Sequence, residues 1–443
     1  MATSETNPRF TVIIPTKDRA RYLEHTLRSC THQDYDNLEI VVSDDGSVDD
    51  TRAVVEEAAR RDPRVRYVTP GSGAGMLENF EFALRQVKPG YVMALGGDDG
   101  LMPHGITAMR DLLRASSHEV LAWPTPVFFY PGARGHESQV VLPMVRRKLG
   151  IGTRVVHSRD FLERQARNLS YVWDLESPMF YVKGVVSTRL VDQVKSRSAS
   201  GSFYSCSTPD GYSGIVVAGE VRSWTFSEAP LSLHGISPTS AGFGYLASTP
   251  LMRKQSDAFF AQAVQRPLHR DLAAQPYSPL ITIMTADFLL TVRDLPGWPG
   301  VAPRIDYQNL VVKALAELED GLFARDRVSR ELGILEGIAA HHGLGAFFHA
   351  RLKRARRNNR TVLSGNAAST TRLYFDARQI GVENIVDASY FAYYAHRASA
   401  ALKTTSVWGA LTNSIRYRTL AWRRGESLTE LWHGPGSHLA DRG

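Results

Sequence analysis

The chain has 443 residues, 43% hydrophobic and 22% charged, an ordinary globular composition that excludes a collagen-like or wholly disordered protein. Two cysteines exclude a disulfide framework and a cysteine-based zinc site, and no run reaches the ~18 apolar residues of a membrane span. The net charge of +7 favours anionic partners, without choosing among nucleoside diphosphates, acidic glycans, phospholipid head groups and nucleic acid.

Met1 to Arg9 is polar and carries no apolar signal segment, so a cytoplasmic protein is expected. Strands and helices then alternate. Phe10 to Ile14, Leu38 to Val42, Val65 to Val68, Tyr91 to Leu95 and Val120 to Trp123 read as strands. Ala20 to Thr31, Val48 to Arg60, Met76 to Val87 and Pro103 to Ala115 read as helices. The strand runs are almost wholly apolar, as burial on both faces requires, so an α/β fold with a mostly parallel sheet sandwiched by helices is expected. Ser47 or Asp49 can cap the second helix, and Pro103 suits the first turn of the fourth. Cys30 falls on the apolar face of the first helix and reads as core.

Pro124 to Val155 is rich in Pro, Gly and mixed charge and reads as irregular strands and loops. Ser158 to Arg167 follows as a helix, Phe180 to Val182 as a strand, and Val186 to Lys195 as a helix. Ser196 to Ser207 reads as an exposed loop, Pro209 to Gly219 as a buried helix and Arg222 to Phe226 as a strand. Beyond about residue 245 the pattern is helical. Leu310, Val311, Ala314, Leu315 and Leu318 share one face before Gly321; Val328, Leu332, Leu335 and Ala339 repeat it before Gly343. Pro279 to Val292 is the most apolar run, but it is short and contains Asp287. The expected division is 1–248, with halves at about 9–123 and 124–248, and a helical part at 249–443.

Two Asp pairs close successive strand runs: Ser43-Asp44-Asp45-Gly46-Ser47 and Gly96-Gly97-Asp98-Asp99-Gly100. Ligands of open α/β sheets bind outside the carboxyl ends of the strands. Acidic pairs there, beside glycines that admit a close backbone, suit a ribose or base on one strand end and a divalent metal on a diphosphate at another. The second pair also fits a turn that caps the next helix. Gly71-Ser72-Gly73-Ala74-Gly75 invites a dinucleotide-binding reading, but its spacing and its place after the third strand argue against it.

Together with Thr11-Val-Ile-Ile-Pro-Thr-Lys-Asp-Arg19 and Gln33 to Ser47, the run Gly90 to Asp99 resembles the inverting family 2 glycosyltransferases, over roughly residues 9 to 240. The resemblance implies the GT-A fold, with an α-helical C-terminal extension that resembles no named family. It implies that Pro15 and Thr16 line a nucleotide site, with Asp18, Arg19, Asn79, Gly97 and Asp98 as further nucleotide-side candidates. Asp45 corresponds to the acidic residue that accepts from uracil or ribose. Asp99 corresponds to the last residue of the Asp-any-Asp motif, which holds Mn²⁺ or Mg²⁺ against the diphosphate, and His234 to a third ligand or diphosphate contact. Gly97 stands where close relatives carry an acidic residue, which raises the question of weakened metal binding.

Direct displacement at an anomeric carbon needs a carboxylate to take the acceptor's proton. Asp210, in Thr208-Pro209-Asp210-Gly211, fits this role best, with a helix cap as the lesser alternative; Asp174 and Glu176, beside Trp173, come next. Ser237 to Gly244 suits a flap over the donor. The expected activity is transfer of a sugar from a nucleoside diphosphate, UDP foremost, to a hydroxyl of a glycan or lipid-linked acceptor, as in polysaccharide biosynthesis. The alternative is a non-catalytic nucleotide-sugar-binding scaffold with a degenerate metal motif. A nucleotidyltransferase would need a basic, Gly-rich triphosphate loop that is missing after the first strand. The basic run Arg351 to Arg360, and Arg416, Arg418, Arg423 and Arg424 with Tyr417 and Trp422, suit a solvated face or peripheral contact with an anionic membrane. No nucleic-acid module accompanies them. Oligomeric state is left open.

Overall fold

The computed structural model describes residues 7–71, 73–133, 138–143, 152–240, 257, 260–261, 266–301, 303–321, 323–358, 367–368, 372–401 and 426–427. The chain opens with β1 (Phe10–Thr16), α1 (Ala20–Thr31), β2 (Leu38–Asp44), α2 (Thr51–Arg61), β3 (Val65–Val68), α3 (Met76–Arg85) and β4 (Tyr91–Ala94). Next come β5 (Gly100–Leu101), α4 (Gly105–Ser116), β6 (Val120–Ala122), β7 (Val127–Phe129), β8 (Gln139–Pro143), β9 (Thr153–His157) and α5 (Ser158–Asn168). They are followed by β10 (Gly184–Ser187), α6 (Thr188–Arg197), α7 (Pro209–Glu220), β11 (Ser223–Ser227) and β12 (Ser232–Ile236). Helices then dominate: α8 (Ile281–Arg293), α9 (Tyr307–Glu319), α10 (Arg325–His341) and α11 (Gly345–Leu352). The last described elements are β13 (Arg356–Arg357), β14 (Ala367–Ala368), β15 (Arg372–Asp376), α12 (Ile385–Ala401) and β16 (Glu426–Ser427).

The main sheet runs β3-β2-β1-β4-β10-β6-β11-β9. β3, β2, β1 and β4 are parallel, while β10 is antiparallel to both its neighbours. Alternating side chains of β1 explain the two-layer cover. Val12 and Ile14 pack with Leu23, Leu27, Val55 and Ile106 of α1, α2 and α4, whereas Ile13 faces Phe80, Ala83 and Leu84 of α3. The chain leaves β1 toward β2 on one side and returns to β4 on the other. The carboxyl ends of β1 and β4 therefore flank a topological switch point, where open sheets bind ligands.

Several local expectations shift. Ser47 is held by Asp44 and Asp49 by Thr51, so α2 begins at Thr51. α4 starts after Pro103, with His104 in the left-handed region as its first cap. Phe180 to Val182 is no strand: Val182 has φ +63°, which turns the chain, and only Tyr181 bridges to Ala94. Ser187 caps α6 by accepting from the Leu190 N–H, so that helix starts at Thr188.

The boundary at 248 separates no core. One apolar cluster runs from Ile13 and Val41 through α5, α6 and α7 to α8, α9, α10 and Ala355. The final segment returns to the first half. β15 pairs with β8 in a second sheet ordered β14-β15-β8-β7-β12-β5, and α12 packs on α1, β5 and β12. The Pro279–Val292 run forms α8, buried on nearly every side; among the described residues no helix is long and apolar enough to cross a membrane.

Candidate functional site

Buried polar groups of α1, and Gln33 just after it, shape the loop after β4. Thr26 donates to the Asp99 carbonyl at 2.7 Å, Ser29 accepts from the Leu101 N–H at 3.1 Å, and Gln33 donates to the Met102 carbonyl at 3.0 Å. This fixes the acidic pair in place. Asp99 Oδ1 accepts from His234 Nδ1 and from the Gly235 N–H, both at 2.8 Å, and its Oδ2 accepts from the Gly96 N–H at 2.6 Å. Asp98 Oδ2 accepts from Ser237 at 2.6 Å and Ser240 at 2.8 Å, with the Arg19 guanidinium 3.7 Å away. The pair caps no helix, since α4 begins only at Gly105. Burial alone would push His234 down, but the carboxylates of Asp99, Asp98 and Asp210 hold it above the usual histidine value.

Gly97 has a steric cause. A Cβ there would lie 2.8 Å from Thr16 Oγ1 and 3.1 Å from Arg19 Cβ. The space that an acidic side chain would take is filled from β1 and the start of α1. Arg19 reaches on to donate to Ser237 at 2.9 Å and to the Thr239 hydroxyl and carbonyl.

Pro15 and Thr16 end β1, and Thr16 Oγ1 is buried without a partner among the described residues. Asp18, at φ +51°, accepts from the Val48 N–H at 2.8 Å and so ties the β1 and β2 loops together. In the other acidic pair the two residues divide their work. Asp44 accepts from Ser47 and from the Tyr67 hydroxyl, which braces the turn. Asp45 accepts from the Ala74 N–H at 2.7 Å, the Gly75 N–H at 3.1 Å and Lys17 Nζ at 3.2 Å, drawing the glycine loop over the end of β2. Asn79 is buried; it accepts from Ser43 Oγ at 2.6 Å and donates to the Ser43 and Thr16 carbonyls. It therefore clamps β1 to β2.

Asp210 is the second residue of α7, whose cap is Thr208, so the capping reading does not hold. Its Oδ2 accepts from the Tyr171 hydroxyl at 3.3 Å, and its Oδ1 is buried without a partner among the described residues. Burial pushes its carboxyl above the usual aspartate value, against the pull of the Gly211 backbone and Tyr171. Glu81 of α3 accepts from the Tyr204 N–H and anchors the loop that leads to α7.

Asp174 and Glu176 do not join this group. Both are ion-paired to Arg164, at 2.7 and 2.6 Å, and Glu176 also to Arg154 at 2.8 Å. Trp173 is 55% exposed, with the Arg372 guanidinium 4.6 Å over its ring. Arg351, Lys353, Arg354 and Arg356 are exposed around α11 and β13. Arg360, Arg416, Tyr417, Arg418, Trp422, Arg423 and Arg424, and positions 241–244 of the flap, lie outside the described residues. Sequence reasoning missed Gly235, Lys17, Ser240 and Tyr181. Gly235 left a trace as the glycine directly after the candidate histidine, Lys17 by lying in the Thr11–Arg19 run and Ser240 by lying in the Ser237–Gly244 flap.

The donor set fits a hard divalent cation. Among the described residues no three His, Cys, Asp or Glu side chains close around an ion. Asp98 Oδ1 and Asp99 Oδ2 nevertheless face the same space above Gly96, 3.1 and 3.0 Å from where its Cβ would be. With its Nδ1 committed to Asp99, His234 has Nε2 as its remaining ring nitrogen. A site of one or two carboxylates completed by water and substrate phosphates is how Mg²⁺ is commonly held.

Residues 11–167 match the family described as Glycosyl transferase family 2. The matched segment, about a third of the chain, is similar to family 2 glycosyltransferases. The chain's sheet order and helical cover are the GT-A arrangement that the resemblance implied. A GalNAc(5)-diNAcBac-PP-undecaprenol beta-1,3-glucosyltransferase of Campylobacter jejuni is 35% identical over 103 residues, 23% of this chain and 33% of that protein. A chondroitin synthase of Escherichia coli is 31% identical over 114 residues, 26% of this chain and 16% of that protein. The chain thus spans about a third or less of these curated relatives. S. aureus TarS 1-349 in complex with UDP-GlcNAc aligns over 81% of this chain and 96% of that chain, at 14% identity and a TM-score of 0.40. The family 2 match covers β1 through α5 and so includes both acidic pairs, while Asp210 and His234 lie beyond it.

Proposed function

We propose that the protein transfers a glycosyl group, with inversion, from a nucleoside diphosphate donor to a hydroxyl of a glycan or lipid-linked acceptor. The observation that carries this reading is the grouping of Asp98 and Asp99 beyond β4 with His234 of β12, with Asp210 in electrostatic reach of that histidine and its Oδ1 buried without a partner among the described residues. Asp45 and the ends of β1 and β2 hold the nucleoside side. Asp98, Asp99 and His234 would hold Mn²⁺ or Mg²⁺, which would offset charge on the leaving diphosphate. Asp210 takes the acceptor hydroxyl's proton; its raised affinity for protons suits a base. Arg19, through Ser237 and Thr239, holds the segment after β12 against Asp98. The relatives named for undecaprenol-linked and chondroitin products support a lipid-linked or polysaccharide acceptor. UDP is the first donor base to try. Exposed arginines around α11 favour peripheral contact with an anionic membrane from the cytoplasmic side.

Calorimetric titration of UDP, GDP and CMP, with and without Mn²⁺, tests the reading. One nucleotide is expected to bind, and to need the metal. Failure of all three under both conditions would remove the roles given to Asp45 and Asp99.

A further inference from the structure

No sequence motif marks Tyr181, yet its hydroxyl enters the acidic site. It lies 2.8 Å from the position of a Cβ on Gly96, in the space that Asp99 Oδ2 and Asp98 Oδ1 also face. The ring is half-buried, edge-on to His234 with centroids 6.4 Å apart, and tilted on Phe80 at 5.9 Å. Among the described residues its hydroxyl has no hydrogen-bond partner.

The backbone is distorted to hold the ring there. Val182, a β-branched residue, sits at φ +63°, and the Lys183 N–H donates across it to the Tyr181 carbonyl at 2.8 Å. This is the γ-turn of the rare, strained hand. Its surroundings fix it from three directions. The Val182 N–H donates to the Ala94 carbonyl and the Ala94 N–H to the Phe180 carbonyl, both at 2.8 Å. Ser232 donates to the Val182 carbonyl, and Trp123 Nε1 holds that serine hydroxyl at 2.7 Å. Strain retained under such clamping clusters at functional sites.

We infer that Tyr181 is a sugar-contacting residue, whose hydroxyl hydrogen-bonds a hydroxyl of the transferred glycosyl group and so helps to select the donor sugar. This rests on the transfer reading above. In a direct displacement the transferred ring sits between the groups that hold the leaving diphosphate and the base that faces the acceptor. The Tyr181 hydroxyl shares the space above Gly96 with Asp98 and Asp99, and Asp210 also acts on it electrostatically. A phenol is a hydroxyl at neutral pH and can both donate and accept.

The test compares wild type with Tyr181→Phe, which keeps the ring packing against Phe80 and His234. Steady-state kinetics use UDP-glucose, UDP-galactose and UDP-GlcNAc with Mn²⁺; calorimetry gives the Kd of UDP alone. The kcat/KM for the preferred donor should fall about fivefold, the effect of one neutral hydrogen bond. Preference among the three sugars should narrow while the Kd for UDP stays within about twofold. Unchanged kcat/KM and sugar preference would overturn the inference and leave the transfer reading standing. An equal loss of UDP affinity would also overturn it, by placing the hydroxyl on the diphosphate. If wild type binds no nucleotide and uses no donor, the transfer reading falls, and this inference with it.

Discussion

Gly235 lies so close to Asp98 that a Cβ built on it would stand 1.6 Å from the Asp98 carbonyl oxygen. The same residue's N–H donates to Asp99 Oδ1 at 2.8 Å. β12 thus presses bare backbone onto the acidic pair, and any side chain at 235 must drive the two apart. The obstacle is backbone, which cannot rotate away. Gly235→Ala is predicted to cost about 3 kcal/mol, the upper end of overpacking penalties, and to abolish metal-dependent nucleotide binding in the fraction that folds. Thermal melts and calorimetry check this; a variant with wild-type melting and affinity would show that the contact is not needed.

Gly97→Asp supplies the acidic residue that the family resemblance implied here, yet is predicted to weaken the site. The new Cβ meets Thr16 Oγ1 at 2.8 Å and Arg19 Cβ at 3.1 Å. Relief requires Arg19 to move, which would loosen its bonds to Ser237 and Thr239. We expect a loss of about 1–3 kcal/mol in stability and no gain in Mn²⁺ affinity. Adding Thr16→Ala should recover part of the stability. Tighter Mn²⁺ binding by the single variant would mean that the site tolerates a third carboxylate after all.

Local features were readable because local chemistry decides them. Val65, Tyr67 and Val68 with their flanking turns set β3, and the amphipathic stretch Ala20–Thr31 sets α1, with the same bounds in sequence and structure. Asp98 and Asp99 were legible as a pair on a strand end. Their setting was not, because it depends on contacts between residues far apart in the chain. Gly97 is explained only by the side chains of Thr16 and Arg19, and Tyr181 only by a turn that Ala94 and Ser232 clamp. Likewise β15 pairs with β8 across more than two hundred residues, and Ile385 packs against Gly100, so the helical tail could not be seen to complete the first half.

That packing predicts the outcome of truncation. A Cβ on Gly100 would lie 2.9 Å from Ile385 Cγ1, and the cluster around Ile385 also holds Met102, Phe128, Tyr130 and Leu233. A chain ending at residue 248 exposes this cluster and the α7 surface that α8 covers. It should aggregate or melt without cooperativity, whereas Ile385→Ala in the full chain should fold and lose about 2–5 kcal/mol. A cooperative melt of the 1–248 fragment would show that the first half closes its own core.

Glu317 makes stability fall as pH rises. It accepts from the Ile281 and Thr282 N–H groups at 2.7 and 3.0 Å, at the start of α8. Burial pushes its carboxyl up to about 7 despite these donors. The folded state therefore holds the proton more tightly than the unfolded one. The resulting stability is complete below the ordinary glutamate value of about 4.3 and is lost as pH rises through about 7. Asp287, pushed by burial to about 6, acts with the same sign. The melting temperature is predicted to fall between pH 5 and pH 8, and less steeply in Glu317→Gln. Equal slopes for the two proteins would place the pH dependence elsewhere.

Asp210→Asn separates chemistry from binding. The amide keeps the shape of the carboxyl and can still accept from Tyr171, so α7 should be undisturbed and melting within a few degrees of wild type. It cannot take a proton from an acceptor hydroxyl. General-base catalysis contributes about 10²- to 10⁴-fold, so kcat should fall by that order while metal-dependent nucleotide affinity is unchanged. Loss of nucleotide binding in step with activity would instead place Asp210 on the donor side. Near-full transfer by the variant would send the search for the base to another residue, with Asp174 and Glu176 disfavoured by their pairing to Arg164.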